Sequence, residues 1–167
     1  MFIDLQTKFS GSTSAAGVNT GDAITVTAIS TNVIDLRSAG GSISVGQGGP
    51  ALEDEGVSGS VFLNVQVTDN AFAAAGAATL TITLESDTVA GLSSTPVVHY
   101  STPAIPKAAL VIGFVAVRIM PPAADYQRFV GLRYTVATGP FTAGNITAWL
   151  GNAVQRNKLY PIGFAIS

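Results

Sequence analysis

His99 is the only histidine in the chain, and it lies in a short apolar stretch that predicts a strand. A serine or cysteine nucleophile would need this ring beside it and a carboxylate to orient the ring. The sequence has no cysteine and no Gly-x-Ser-x-Gly turn, so it places no such partners. A single histidine also leaves a zinc site short of ligands. We therefore predict a structural or surface role for His99, and no catalytic residue, metal site or cofactor.

The densest acidic cluster is the run Glu53, Asp54 and Glu55, which follows a glycine-rich stretch. Its spacing does not match an EF-hand loop, and a calcium ion needs six to eight oxygen ligands. We predict either a solvated acidic loop or a loop that faces basic residues of a partner. A glycosidase carboxylate pair stays open as the weakest alternative, because its two acids need only be close in space.

Charge is scarce along the chain, since only 11% of its 167 residues are Asp, Glu, Lys or Arg. Either Ser, Thr, Asn and Gly supply the polar surface, or other subunits cover part of it, because interface cores are depleted in charge. The net charge of −2, without a basic run, disfavours nucleic acid as a partner. The most apolar run, residues 108–117, is too short for a membrane helix and predicts a buried strand, so we expect no membrane partner.

The elements that would position any site are strands. Apolar and polar residues alternate over 128–136, a Gly/Pro/Asn turn region follows, and the alternation resumes at Ile146. This pattern predicts a β-hairpin over residues 128–150. Val130, Leu132, Tyr134 and Val136 share the predicted core face.

Further strands are predicted across the chain, with a helical turn at 71–75 between two of them. A long loop covers 38–60. The predicted strands are residues 23–29 and 32–36 as a first pair, then 61–68, 78–85, 97–100, 107–119 and 163–166. Leu63, Val65 and Val67 share one face of the strand 61–68. Leu80, Ile82 and Leu84 share one face of the strand 78–85, and Glu85 lies on its opposite face. Short strands joined by long connections predict an all-β antiparallel jelly-roll-like sandwich or barrel of about eight strands. We assign residues 1–21 to an extended N-terminal arm and residues 22–167 to a single β-sandwich domain.

Several motifs have the order found in one known family. Residues 30–36 (STNVIDL), 128–134 (RFVGLRY), 142–144 and 146–148, together with the opening MFIDLQ, resemble the Bbp16-type capsid cement proteins of tailed bacteriophages. The resemblance implies a small jelly-roll protein without enzymatic activity. Such a protein would coat the outer surface of the finished capsid, clamp neighbouring copies of the major capsid protein, and reside in the host cytoplasm during assembly.

Within that hypothesis, the arm supplies candidate capsid contacts through its apolar side chains Phe2, Ile3, Leu5 and Phe9. Self-association is expected, as a homodimer in preference to a homotrimer. Phe129, Arg133 and Trp149 fall on the register opposite to the core and are candidate subunit-interface residues. The alternative function is a carbohydrate- or receptor-binding β-sandwich module of a virion, in which Trp149 and the tyrosines form a stacking platform.

Overall fold

The computed structural model describes residues 7–13, 19–36 and 61–151. They form two antiparallel sheets that pack face to face around one apolar core. A 3₁₀ turn spans Lys107–Ala109, and no helix within these ranges is long and apolar enough to cross a membrane. The strands are β1 Lys8–Ser10, β2 Ser12–Thr13, β3 Asn19–Thr20, β4 Asp22–Ala23, β5 Ala28–Ile29, β6 Ile34–Asp35, β7 Phe62–Ala73, β8 Thr79–Asp87, β9 Val97–Ser101, β10 Ile105–Pro106, β11 Val115–Ile119, β12 Phe129–Ala137 and β13 Ala143–Gly151.

The strand order is that of a jelly roll. The first sheet has the order β1–β13–β7–β11, with β4 also paired to β13. The second has the order β10–β8–β12–β5, with β6 also on β12 and β9 also on β8. If β1 and β4, β5 and β6, and β9 and β10 each count as one interrupted strand, eight strands remain, and the chain crosses repeatedly between the sheets. The predicted all-β sandwich is therefore confirmed. Strands β2 and β3 form a separate small ribbon.

Alternating side chains build the core as the sequence pattern predicts. Leu63, Val65 and Val67 of β7 are fully buried, and so are alternate residues of β8 and β12. Each such side chain contributes about 1.5–3 kcal/mol by leaving water, so these three central strands carry much of the stability. The predicted core faces of all three strands are confirmed.

The predicted hairpin over residues 128–150 is wrong. Strand β12 lies in the second sheet and β13 in the first, so the two strands face each other across the core instead of pairing. The reason is Phe141, which lies in the core in an edge-to-face contact with Phe72, their ring centroids 4.7 Å apart. Its backbone N–H donates to the carbonyl of Thr25, which fixes the connection as an arch between the sheets.

Three other predicted elements also differ. Strands β5 and β6 do not pair with each other: both pair with β12, because Ser30 between them bonds Leu132 through its backbone and its hydroxyl. Residues 71–73 continue β7 instead of starting a helical turn. The buried strand predicted over 107–119 begins only at Val115, because Leu110 enters the core from the 3₁₀ turn. The strand predicted at 163–166 and the loop predicted at 38–60 lie outside the described residues.

The start of the sandwich lies inside the segment predicted as an arm. Strand β1 pairs with β13 and contains a β-bulge, so that both Phe9 and Ser10 lie against the core. Tyr134 Oη donates a hydrogen bond to Ser10 Oγ at 2.8 Å. Burial raises the pKa of Tyr134, and the bond to Ser10 offsets part of that increase. The domain boundary predicted at residue 21 is thus too late.

Candidate functional site

The predicted capsid contacts divide between two situations. Phe2, Ile3 and Leu5 lie outside the described residues, so their contact role stays a prediction. Phe9 is fully buried in the core. Phe9 is therefore a core residue of β1, and its assignment as a capsid anchor is wrong. The acidic residues Glu53, Asp54 and Glu55 also lie outside the described residues.

Trp149, a predicted subunit-interface residue, is buried on the outer face of the first sheet. It is 5% exposed and lies between Lys8 of β1 and Asn64 of β7, which are buried with it. Burial lowers the pKa of Lys8, while Asp22 partly offsets the effect. Since the indole is covered within the folded chain, Trp149 is not available to another subunit, and that assignment is wrong.

Arg133, the second interface candidate, forms an ion pair within the chain. Its Nε donates to both carboxylate oxygens of Glu85, at 3.1 and 2.9 Å, and a terminal nitrogen donates to the Leu92 carbonyl at 2.6 Å. Glu85 is buried although its strand places it on the outer face. Arg133 therefore fastens residues 88–96, which we call the strap, to the outside of the second sheet.

The strap is held at a second point by Asp87. The carboxylate of Asp87 accepts backbone N–H groups from Thr88, Ser94 and Thr95 at 2.6–3.3 Å. Burial raises the pKa of Asp87, but these hydrogen bonds outweigh burial and leave the pKa below its ordinary value. A charged Asp87 thus stabilises the strap down to acidic pH.

A glycine makes room for the strap. Leu92, buried and at φ 46°, packs over Gly131 of β12, where an added Cβ would lie 2.9 Å from the leucine side chain. Leu92 is therefore held on β12 both by the hydrogen bond from Arg133 and by apolar packing over Gly131. Phe129, the third interface candidate, is half-buried on the same strand, with the Arg128 guanidinium 4.7 Å above its ring. Its interface role stays a prediction.

The fold brings a serine to the single histidine, which the sequence pattern did not show. Ser86 Oγ and His99 Nε2 are 2.7 Å apart, and Ser86 Oγ also accepts the backbone N–H of Gln127. Ser86 is fully buried, and the His99 ring stacks on Tyr126 at 4.0 Å between centroids. Burial lowers the pKa of His99. A nucleophilic hydroxyl must be accessible to its substrate, and the Ser86 hydroxyl is buried. Its hydrogen bonds to His99 and Gln127 instead join β8 to β9 and to the segment before β12.

Two residues of the aromatic platform in the alternative hypothesis are not accessible. Tyr134 is in the core, Trp149 is covered, and Tyr126 is half-buried against His99 with its hydroxyl donating to the Pro122 carbonyl. A sugar stacks on an exposed aromatic face, which Tyr134 and Trp149 do not offer. Within the described ranges, no group of three or more acidic, histidine or cysteine side chains could hold a metal ion.

Four connections meet at one end of the sandwich, which we call the loop end: residues 24–27, 74–78, 107–113 and 138–142. Backbone hydrogen bonds join them, from Phe141 to Thr25 and from Lys107 to Ala78. Val26, Val111 and Ile112 are exposed there. Added Cβ atoms at Gly113 and Gly139 would meet nothing within 4 Å, so the surface is open at these points.

The loop end carries almost no charge. Its only charged residue is Lys107, and the ammonium group of Lys107 donates to the Ala74 carbonyl at 2.6 Å. The nearest carboxylate along the chain is Asp22 of β4, which accepts a hydrogen bond from the Thr31 hydroxyl outside these loops. This surface was not predicted, although the sequence shows that its four segments contain no Asp or Glu. The missing information was that the four segments meet.

The strand order and the buried polar pairs define an antiparallel jelly-roll protein whose described residues present apolar loops at one end and charged contacts at the other. The family model Bbp16 matches residues 18–150, which is well over half of the chain. The chain belongs to the Bbp16 family, a family of phage-type proteins. No curated protein matches the chain.

Proposed function

We propose that the chain is a structural cement protein of a tailed phage, which binds the outside of the assembled capsid and bridges copies of the major capsid protein. The observation that carries this proposal is the match to the Bbp16 family over nearly the whole sandwich, from residue 18 to residue 150. Two features of the chain agree with it: the exposed apolar loop end, and the use of Ser86 and His99 as a buried joint.

The physical mechanism is linkage between binding and assembly. A protein that binds the assembled shell and not the free subunits stabilises the shell by its binding free energy. A copy that touches two neighbouring capsid subunits makes its second contact at a high effective concentration. Individual contacts can then be modest, because many copies act on one lattice.

The partners and location follow from this proposal. The principal partner is the major capsid protein, and a second copy of the chain is the other, as a homodimer in preference to a homotrimer. The protein would occupy the outer surface of the virion and pass through the host cytoplasm during assembly. No role for nucleic acid or membrane is proposed.

The test compares heads with and without the protein. DNA-filled heads that lack the chain are heated with and without purified chain, and release of packaged DNA is followed by dye fluorescence. We expect binding in near-stoichiometric amounts and a higher rupture temperature. Heads that neither retain the chain after sedimentation nor change in rupture temperature would refute the proposal. A β-sandwich protein of unrelated sequence serves as the control.

A further inference from the structure

We infer that the loop end is the surface that contacts the capsid shell, at an uncharged apolar area of the major capsid protein. This inference rests on the proposed function and adds the part of the molecule that performs it. The four loops come from widely separated parts of the chain, and the fold brings them to one end. No single sequence motif marks them.

The first argument is the distribution of exposed apolar side chains. Val26, Val111 and Ile112 project from two of the four loops, and Val115 follows at the adjacent edge strand. Residues 74–78 add only alanine and glycine, of which Ala75, Gly76 and Ala77 are exposed. Four other large apolar side chains, Val89, Val97, Val98 and Met120, are also exposed, so apolar exposure marks the loop end only together with its lack of charge.

The second argument is charge. Covering a charged group costs free energy unless a partner charge meets it, and the loop end has only Lys107, which already has the Ala74 carbonyl as an acceptor. The opposite end carries the Arg128–Asp35 pair, which is partly exposed at 41% and 33% of the side-chain surface. Desolvation therefore favours burial of the loop end, and complementarity requires an uncharged partner surface.

The third argument is rigidity. The loop end is tied to both sheets. In the first sheet, backbone hydrogen bonds join Phe72 to Leu110, Ala73 to Thr142 and Gly144 to Ile24. In the second sheet, the backbone N–H of Val136 donates to the Thr27 hydroxyl. Phe141 and Phe72 pack beneath it, and Gly144 at φ 145° leaves no space for a side chain against the Phe72 ring. A surface that is fixed before binding loses little conformational entropy on binding.

The experiment places a carboxylate on the loop end and, separately, on another exposed valine. Val111→Glu and Val98→Glu form a matched pair, because the two valines are 53% and 54% exposed and Val98 lies on β9 away from the four loops. Gly76→Glu is a second loop-end variant that removes no packing, since an added Cβ would meet only the Thr138 carbonyl at 3.7 Å.

Binding of each full-length variant to heads assembled from the major capsid protein is measured by cosedimentation over a range of concentrations. We expect Val111→Glu and Gly76→Glu each to weaken binding by about tenfold or more, because an unpaired carboxylate is buried. We expect Val98→Glu to remain within about twofold of the wild type, as for an exposed surface site. Far-ultraviolet circular dichroism and thermal unfolding establish that all three variants are folded.

The outcomes separate this inference from the proposed function. If the wild type binds and both loop-end variants bind equally well, the loop end is not the shell contact, although the cement function stands. If the wild type itself fails to bind, the proposed cement function is refuted, and the inference about the loop end is refuted with it. Sedimentation velocity without heads tests the other occupant: if the loop-end variants lose self-association instead of shell binding, the surface joins two copies of the chain and the inference is overturned.

Discussion

The two ends of this sandwich are closed by different chemistry, although the same strands run between them. At the loop end, Phe72, Leu110 and Phe141 fill the space between the sheets, and the loops above them are nearly free of charge. At the other end, carboxylates organise the connections. Asp87 collects backbone N–H groups of the strap, and Glu85 holds Arg133.

The difference separates two ways of fixing a loop. Apolar packing is non-directional and leaves an exterior that another apolar surface can cover at little cost. Hydrogen bonds to a carboxylate are directional and depend on its charge. The loop end should therefore respond to changes in volume, and the strap end to changes in charge and pH.

The largest effect is expected from Phe141→Ala at the loop end. Removal of a buried aromatic side chain should lower the free energy of unfolding by about 3–5 kcal/mol. The half-buried Phe129 offers the same substitution near the strap, where we expect a loss of about 1 kcal/mol or less. Denaturant titration measures both variants. Equal losses of unfolding free energy in the two variants would show that aromatic packing matters no more at the loop end than near the strap.

A smaller loss is expected from Arg133→Met. The substitution leaves Glu85 buried without its cation, while Arg133 itself is partly exposed, so we expect about 2 kcal/mol of destabilisation. The double variant with Glu85→Gln should regain part of that loss, because the uncompensated charge is gone. The same titration measures both proteins, and a double variant no better than Arg133→Met would contradict the assignment.

The next effect is local to the strap and depends on Asp87. Because the pKa of Asp87 is lowered in the folded chain, its contribution to stability is complete above the ordinary pKa of an aspartate and is lost as pH falls through the lowered pKa. Asp87→Asn should remove the contribution at every pH.

Hydrogen exchange of the Ser94 and Thr95 backbone amides measures how strongly Asp87 holds the strap. We expect protection to fall by about tenfold in Asp87→Asn at neutral pH, since the amide group also presents donors to these N–H groups. The loop-end amide of Phe141 is the internal control and should keep its protection. Unchanged strap protection in the variant would remove Asp87 from its assigned role.

The smallest effect is expected from Arg128→Gln. The pair with Asp35 is bidentate at 2.9 and 2.8 Å, but it is exposed on both sides and water screens it. The midpoint of thermal unfolding should stay within about 2 °C of the wild type. A larger decrease in the midpoint, which grows at low ionic strength, would contradict this expectation. It would mean that the Arg128–Asp35 pair stabilises this end of the sandwich in addition to the strap contacts.

The strands themselves could be predicted where one local pattern decides the outcome. Alternation over β8 predicted that Leu80, Ile82 and Leu84 share a face, and they are buried together. The same pattern placed Glu85 on the outer face, which is correct, but could not predict its burial. The strap that covers Glu85 folds back from later in the chain, and alternation contains no information about such coverage.

The errors have the same origin. Gly139 and Pro140 are compatible with a hairpin turn or with an arch between sheets, and only the burial of Phe141 decides between them. Phe9 was assigned to an arm because the polar residues after it obscured the short strand β1. The loop end was missed because its four parts are distant in sequence and adjacent only in the folded chain.

The position of β13 has a consequence for the synthesis of the protein. This strand lies in the middle of the first sheet and supplies the partner edges of β1, β4 and β7. Until residues 143–151 have left the ribosome, β1 and β4 lack the strand that they pair with. Contacts between such distant segments form slowly. The sandwich therefore closes only after residues 143–151 have been made, and any binding that needs the closed sandwich must follow their synthesis.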